Sequence, residues 1–75
     1  MKIYLLLGIT VDNTPEVILI DDLSTLTDKL KEIRDNDGLA TFAGNKKDRH
    51  YKELQIISNN KKIKKCKIVS SNGDN

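Results

Sequence analysis

One cysteine, one proline, one histidine, no tryptophan and only three aromatic side chains in 75 residues exclude a good deal of chemistry at the outset. The single thiol, Cys66, cannot close an intrachain disulfide. With His50 as the only imidazole, no Cys/His set has metal-ligand spacing, so neither metal nor cofactor is expected. The longest apolar run, IYLLLGITV near the start, is too short to span a bilayer. Lys2 ahead of it imitates the positive end of a signal peptide. No small-residue cleavage site follows, and DNTPE reads as a turn, so a strand in a cytoplasmic protein with no membrane role is expected. A chain this short, without covalent staples, gains stability by oligomerising or by docking on a partner.

Several motif-like fragments fail on spacing. GLATFAGNKK (38–47) imitates a phosphate loop, but its glycines are six apart and no Gly-Lys-Ser/Thr follows. Aligning the glycine of DNDG with a calcium loop puts Ile33 at the first ligand position and Gly44 where a glutamate is required. Asp21 and Asp22 are adjacent and project differently, as at a strand-to-helix junction rather than in an acid–base pair. Cys66 reads as a packed side chain and His50 as a loop neighbour, not as a nucleophile and its base. The expectation is a protein that is not an enzyme.

What the sequence does contain is alternation. Ile3, Leu5, Leu7, Ile9 and Val11 fall on one face of a first strand, apolar throughout. Tyr4, Leu6, Gly8 and Thr10 share the other face with Lys2, a mixed face that is either partly covered or part of an interface. DNTP (12–15) makes a turn and EVILI (16–20) a second strand. DDLSTLTDKLKEIRDNDG then reads as a helix with Leu23, Leu26, Leu30 and Ile33 on one stripe. Asp22, Ser24 or Thr25 is its N-cap, Thr25 with Asp28 approximates a capping box, and Gly38 stops it. LATFA (39–43) is a short third strand carrying Phe42 inward, GNKKDR (44–49) a polar loop, and residues 51–58 a fourth strand. Residues 46–53 also admit a loop or a short helix.

Next comes NNKKIKKCKI (59–68). A three-residue loop at Asn59, Asn60 and Lys61 sets Leu54 opposite Cys66, Glu53 opposite Lys67 and Ile57 opposite Ile63. Leu54, Ile56, Cys66 and Ile68 then share one face, and Glu53, Gln55, Lys65 and Lys67 the wet one. The tail, 70–75, has no apolar residue. The predicted fold is a small two-layer α+β domain over residues 1–69, an antiparallel sheet of four to five strands packed on one helix in the order β-β-α-β-β-β.

Charge is split along the chain. Residues 1–44 carry four basic and eight acidic side chains, a balance of −4, and residues 45–75 nine basic and three acidic, a balance of +6. Such a dipolar molecule orients its partners electrostatically. An acidic face carrying Asp21, Asp22, Asp28 and Glu32, with Tyr4 and Leu6 as apolar anchors, is the candidate surface for another protein. Lys46, Lys47, Arg49, Lys61, Lys62, Lys64, Lys65 and Lys67 are the candidate contacts of an alternative, nucleic-acid-binding module. Against that alternative stand two arginines, three aromatics and no RRM-type aromatic motif. Lysines also blunt exposed edge strands.

MKIYLLLGIT, then EVILIDDLSTLTDKLKEI, then the Lys-rich closing hairpin resembles small accessory proteins of bacteriophages and mobile elements. The resemblance covers nearly the whole chain and is one of pattern, so it transfers no site. It implies binding of a host protein in the host cytoplasm and, for some such proteins, inhibition of restriction, CRISPR or signalling-based immunity. The function expected is thus a non-enzymatic protein-binding module, in its sharpest form a phage-encoded inhibitor of a host defence protein. Nucleic-acid binding is the alternative. Sequestration of a small nucleotide or signalling molecule, in a pocket at a homo-oligomer interface, is a second one.

Overall fold

Strand β1 (Tyr4–Thr10) runs antiparallel to β2 (Pro15–Asp21), and helix α1 (Leu23–Asp35) follows. The chain then adds β3 (Leu39–Ala40), β4 (Arg49–Ser58) and β5 (Lys61–Lys67). The computed structural model describes residues 3–40 and 48–68. The expected order β-β-α-β-β-β therefore holds, with one helix packed on an antiparallel sheet of five strands. β1 and β4 form its centre, β2 lies outside β1, and β3 and β5 both pair with β4. No helix among the described residues is long and apolar enough to cross a membrane. Phe42, Lys46, Lys47 and the expected tail at 70–75 lie outside the described residues.

The helix begins at Asp22, whose carboxylate accepts the Thr25 amide at 2.8 Å. This charged cap to an otherwise orphaned N–H also holds the Asp22 carboxyl below its ordinary range. Leu26, Leu30 and Ile33 are the buried stripe, while Leu23 stays exposed. The helix ends in paired bonds from the Gly38 amide to Ile33 O and from the Asp37 amide to Arg34 O. Asp37 takes the left-handed conformation at φ 54°, and Gly38 follows at φ 88°. Gly38 has a further reason to be glycine. Its carbonyl accepts the Tyr51 amide, and a Cβ there would lie 2.1 Å from Tyr51 O.

The closing hairpin corrects the expected loop but keeps its faces. Its turn has two residues, Asn59 and Asn60, both at positive φ as a type I′ turn requires. Such a turn alone would mix the faces. A bulge between Ile56 and Ile57 absorbs Ile63 as an extra residue, so that Leu54 still meets Cys66 and Glu53 still meets Lys67. Ile57 consequently faces Lys62, not Ile63.

Helix α1 covers the face carrying Leu6, Gly8 and Thr10, the opposite of what the purity of the Leu5/Leu7/Ile9 face implies. β1 is apolar on both faces, so its own alternation cannot choose. Its neighbours do. Leu6, Gly8 and Thr10 stand beside Ile56, Leu54 and Tyr51 of β4, whereas Leu7 and Ile9 stand beside Gln55 and Glu53. The core is Leu6, Leu26, Leu30, Ile33, Ala40, Tyr51, Leu54 and Ile56, with Tyr4, Ile18, Leu19, Cys66 and Ile68 packed around it. Gly8 makes room for it, since a Cβ there would sit 2.5 Å from the Tyr51 ring.

Candidate functional site

Residues paired across antiparallel strands project to the same side, so the registers give the face opposite helix α1 directly. Three rows cross it from β2 to β5. The first is Ile20, Leu5, Ile57 and Lys62; the second Val17, Leu7, Gln55 and Lys65; the third Pro15, Ile9, Glu53 and Lys67. Each row passes from aliphatic to basic. Val17 and Ile20 are 55% and 58% exposed, and Leu5, Leu7, Ile9 and Ile57 are half-buried. This is a contiguous aliphatic stripe bordered by a lysine stripe.

The border has its own order. Gln55 is only 6% exposed, although it faces away from helix α1. Its amide donates to Glu53 Oε2 at 2.6 Å, and Lys65 Nζ stands 4.0 Å from the same oxygen. The Gln55 hydrogen bond first, with the neighbouring lysines adding, holds the Glu53 carboxyl below its ordinary range. Lys62, Lys65 and Lys67 share this face, Lys64 lies on the helix side opposite Ile56, and Lys61 faces Ser58 at the turn. The structure therefore divides the lysines between two faces. Arg49 is apart from them, its Nε 3.3 Å from Glu16 Oε2.

The protein-binding residues read from the sequence are not brought together. Leu6 is fully buried under the helix and cannot anchor a partner, and Tyr4 is half-buried against the core. Asp21 and Asp22 sit at the start of the helix, where Asp21 Oδ1 accepts the Asp22 amide. Asp28 and Glu32 are exposed on the helix, with Glu32 Oε2 3.4 Å from Lys29 Nζ. These acidic groups thus belong to the helical layer, whereas the exposed Val17 and Ile20 lie on the opposite face. Sequence reading missed Leu5, Leu7, Ile9, Val17, Ile20 and Ile57 as surface residues. The signal that finds them is register, because their strand neighbours on β4 include Gln55 and Glu53.

One shallow cleft of about 390 Å³ opens at the end of the sheet, between Thr10, Asp12, Thr14, Glu16, Asp48, Arg49 and His50. Several of its polar groups already have partners. Tyr51 Oη donates to Glu16 Oε1 at 2.9 Å, Thr10 Oγ1 donates to Asp12 Oδ1, and His50 Nε2 lies 3.0 Å from Asp37 O. Burial first, then the Glu16 carboxylate, pushes the Tyr51 phenol well above its ordinary range. Cys66 of β5 faces Leu54, whereas His50 faces Leu39 of β3, so the two have different neighbours. No group of three or more His, Cys, Asp or Glu able to hold a metal ion occurs among the described residues.

Comparison of the chain with protein-family models, with curated proteins and with solved structures found no match.

Proposed function

We propose that this protein is a non-enzymatic module that binds another protein through the open face of its sheet. The supporting observation is the aliphatic stripe of Leu5, Leu7, Ile9, Val17, Ile20 and Ile57, on the face opposite helix α1, while the other face carries the core of the described residues. Contiguous exposed aliphatic surface on a small domain marks an interaction site more often than an accident of folding. The sheet edges are weaker candidates. β2 opens with Pro15 and is bulged at Ile18, and β5 carries five lysines and a bulge at Ile63. The resemblance to phage and mobile-element accessory proteins makes a host protein, a defence component included, the first partner class to try.

The test is site-specific photocrosslinking in the expressing cell. A benzophenone side chain at Val17 or Ile20 should yield a discrete adduct that Leu7→Glu abolishes. The same probe at Lys31, on the exposed side of the helix, should yield none. Adducts from the helix position alone would contradict the reading.

Phosphate-backbone binding is the second reading, favoured by Lys62, Lys65 and Lys67 sharing one face. Both tyrosines pack on the helix side, so among the described residues no aromatic ring is available there for base stacking. Under this reading labelled DNA or RNA binds and is released steeply between about 50 and 200 mM salt. Under the protein-binding reading that titration is flat.

A further inference from the structure

Resting on the open-face reading, we propose the chemistry of the partner: a segment with an aliphatic stripe flanked on one side by carboxylates, so that its acids meet Lys62, Lys65 and Lys67. The aliphatic area extends over β2, β1 and part of β4. Two and a half strand spacings by seven residues is a plan of about 12 by 24 Å, roughly 300 Å². Specific complexes bury about 800 Å² on each partner. Even doubled for side-chain relief the aliphatic area falls short, so a stable contact takes in the lysine border as well.

That requirement argues against a second copy. Sheets stacked face to face keep their strands roughly aligned. A two-fold axis across the strands lays β5 over β5 and sets lysine against lysine. An axis along the strands lays β5 over β2 and buries Lys62 and Lys65 against Ile20 and Val17. Either arrangement desolvates three ammonium groups with only the Glu53 carboxylate as counter-charge. Three lysines against the single carboxylate of Glu53 leave the border positive, which an acidic flank complements. An anionic membrane offers the same sign of charge but fits less well. Gln55 and Glu53 lie in the middle of the face, and the tyrosines that favour membrane interfaces are on the other side.

Three amphipathic helical peptides of about 20 residues test this, identical in their leucine stripe but flanked by Glu, Gln or Lys. Binding to the intact protein is followed by backbone and methyl NMR shifts. The Glu peptide should bind at least about tenfold tighter than the Lys peptide, and the gap should shrink as salt rises. Shifts should centre on Leu7, Val17 and Ile57. The variant K62E/K65E/K67E should stay folded and reverse the preference. Equal binding of all three peptides at the open face would overturn the charge inference while leaving the docking face intact. Concentration-dependent self-association that protects Val17 and Ile20 would identify a second copy as the occupant and overturn it. So would binding to vesicles of anionic phospholipid with none to the peptides. No binding in any arm would overturn both the charge inference and the open-face reading.

Discussion

The two faces of the sheet start from the same strand and end with opposite fates. On the helix side Leu6 is fully buried among Leu26, Leu30, Tyr51, Leu54 and Ile56. One residue along, Leu7 is flanked by Val17 and Gln55 on the opposite face and stays only half-buried. The leucines are chemically identical, so what separates them is context. β4 places Tyr51, Leu54 and Ile56 toward the helix and Glu53 and Gln55 away from it, and β1 inherits that division through its register.

The sharpest way to break the comparison is to truncate both leucines. Leu6→Ala should cost about 2–5 kcal/mol, because it leaves a cavity under the helix. Leu7→Ala should cost less than about 1 kcal/mol, as at a surface site. Equal losses in denaturant melts would show that the open face is covered in solution.

Gly8→Ala comes next and probes how tightly the covered side is built. The added methyl meets the Tyr51 ring from one side and Ile18 from the other, so a loss of about 1–3 kcal/mol is expected from overpacking. Thermal melts that match wild type would mean the ring is displaced without cost.

Tyr51→Phe should have the smallest effect at neutral pH, about 1 kcal/mol for the lost Glu16 bond. Its clearer signature is the pH profile. The folded phenol is held above the unfolded value of 10.0, so it stays neutral while the unfolded chain begins to ionise. Its contribution is complete below pH 10 and is lost as pH rises beyond it. Removal of the hydroxyl should flatten that alkaline loss relative to wild type, as followed by urea midpoints. At the acid end the direction is reversed for Asp22 and Glu53, both held below their ordinary values. Their contributions are present above about pH 4 and fade as pH falls.

Much of the fold could be read from periodicity. The helix stripe at Leu26, Leu30 and Ile33, the Asp22 cap and the pairing of Leu54 with Cys66 are local patterns, set by residues near one another in sequence. Which side of β1 the helix covers was not legible there. It depends on β4, more than forty residues away, meeting β1 in one register rather than the next. The same cause hid the candidate site. Val17 and Ile20 look like ordinary strand residues until pairing sets them beside Leu7 and Leu5 on the bare side. The hairpin shows a smaller version of the difficulty. Its faces were legible from their polarity, but a two-residue turn compensated by a bulge gives the same faces as a longer loop.

The central claim, that one face of the sheet is bare and available, is tested most directly by methyl relaxation in the presence of a soluble nitroxide. Methyl signals of Val17, Ile20, Leu7 and Ile57 should broaden strongly and independently of protein concentration, while those of Leu6, Leu26, Leu54 and Ile56 stay sharp. Protection of the first group to the level of the second, at any concentration where the protein is monomeric, would contradict it.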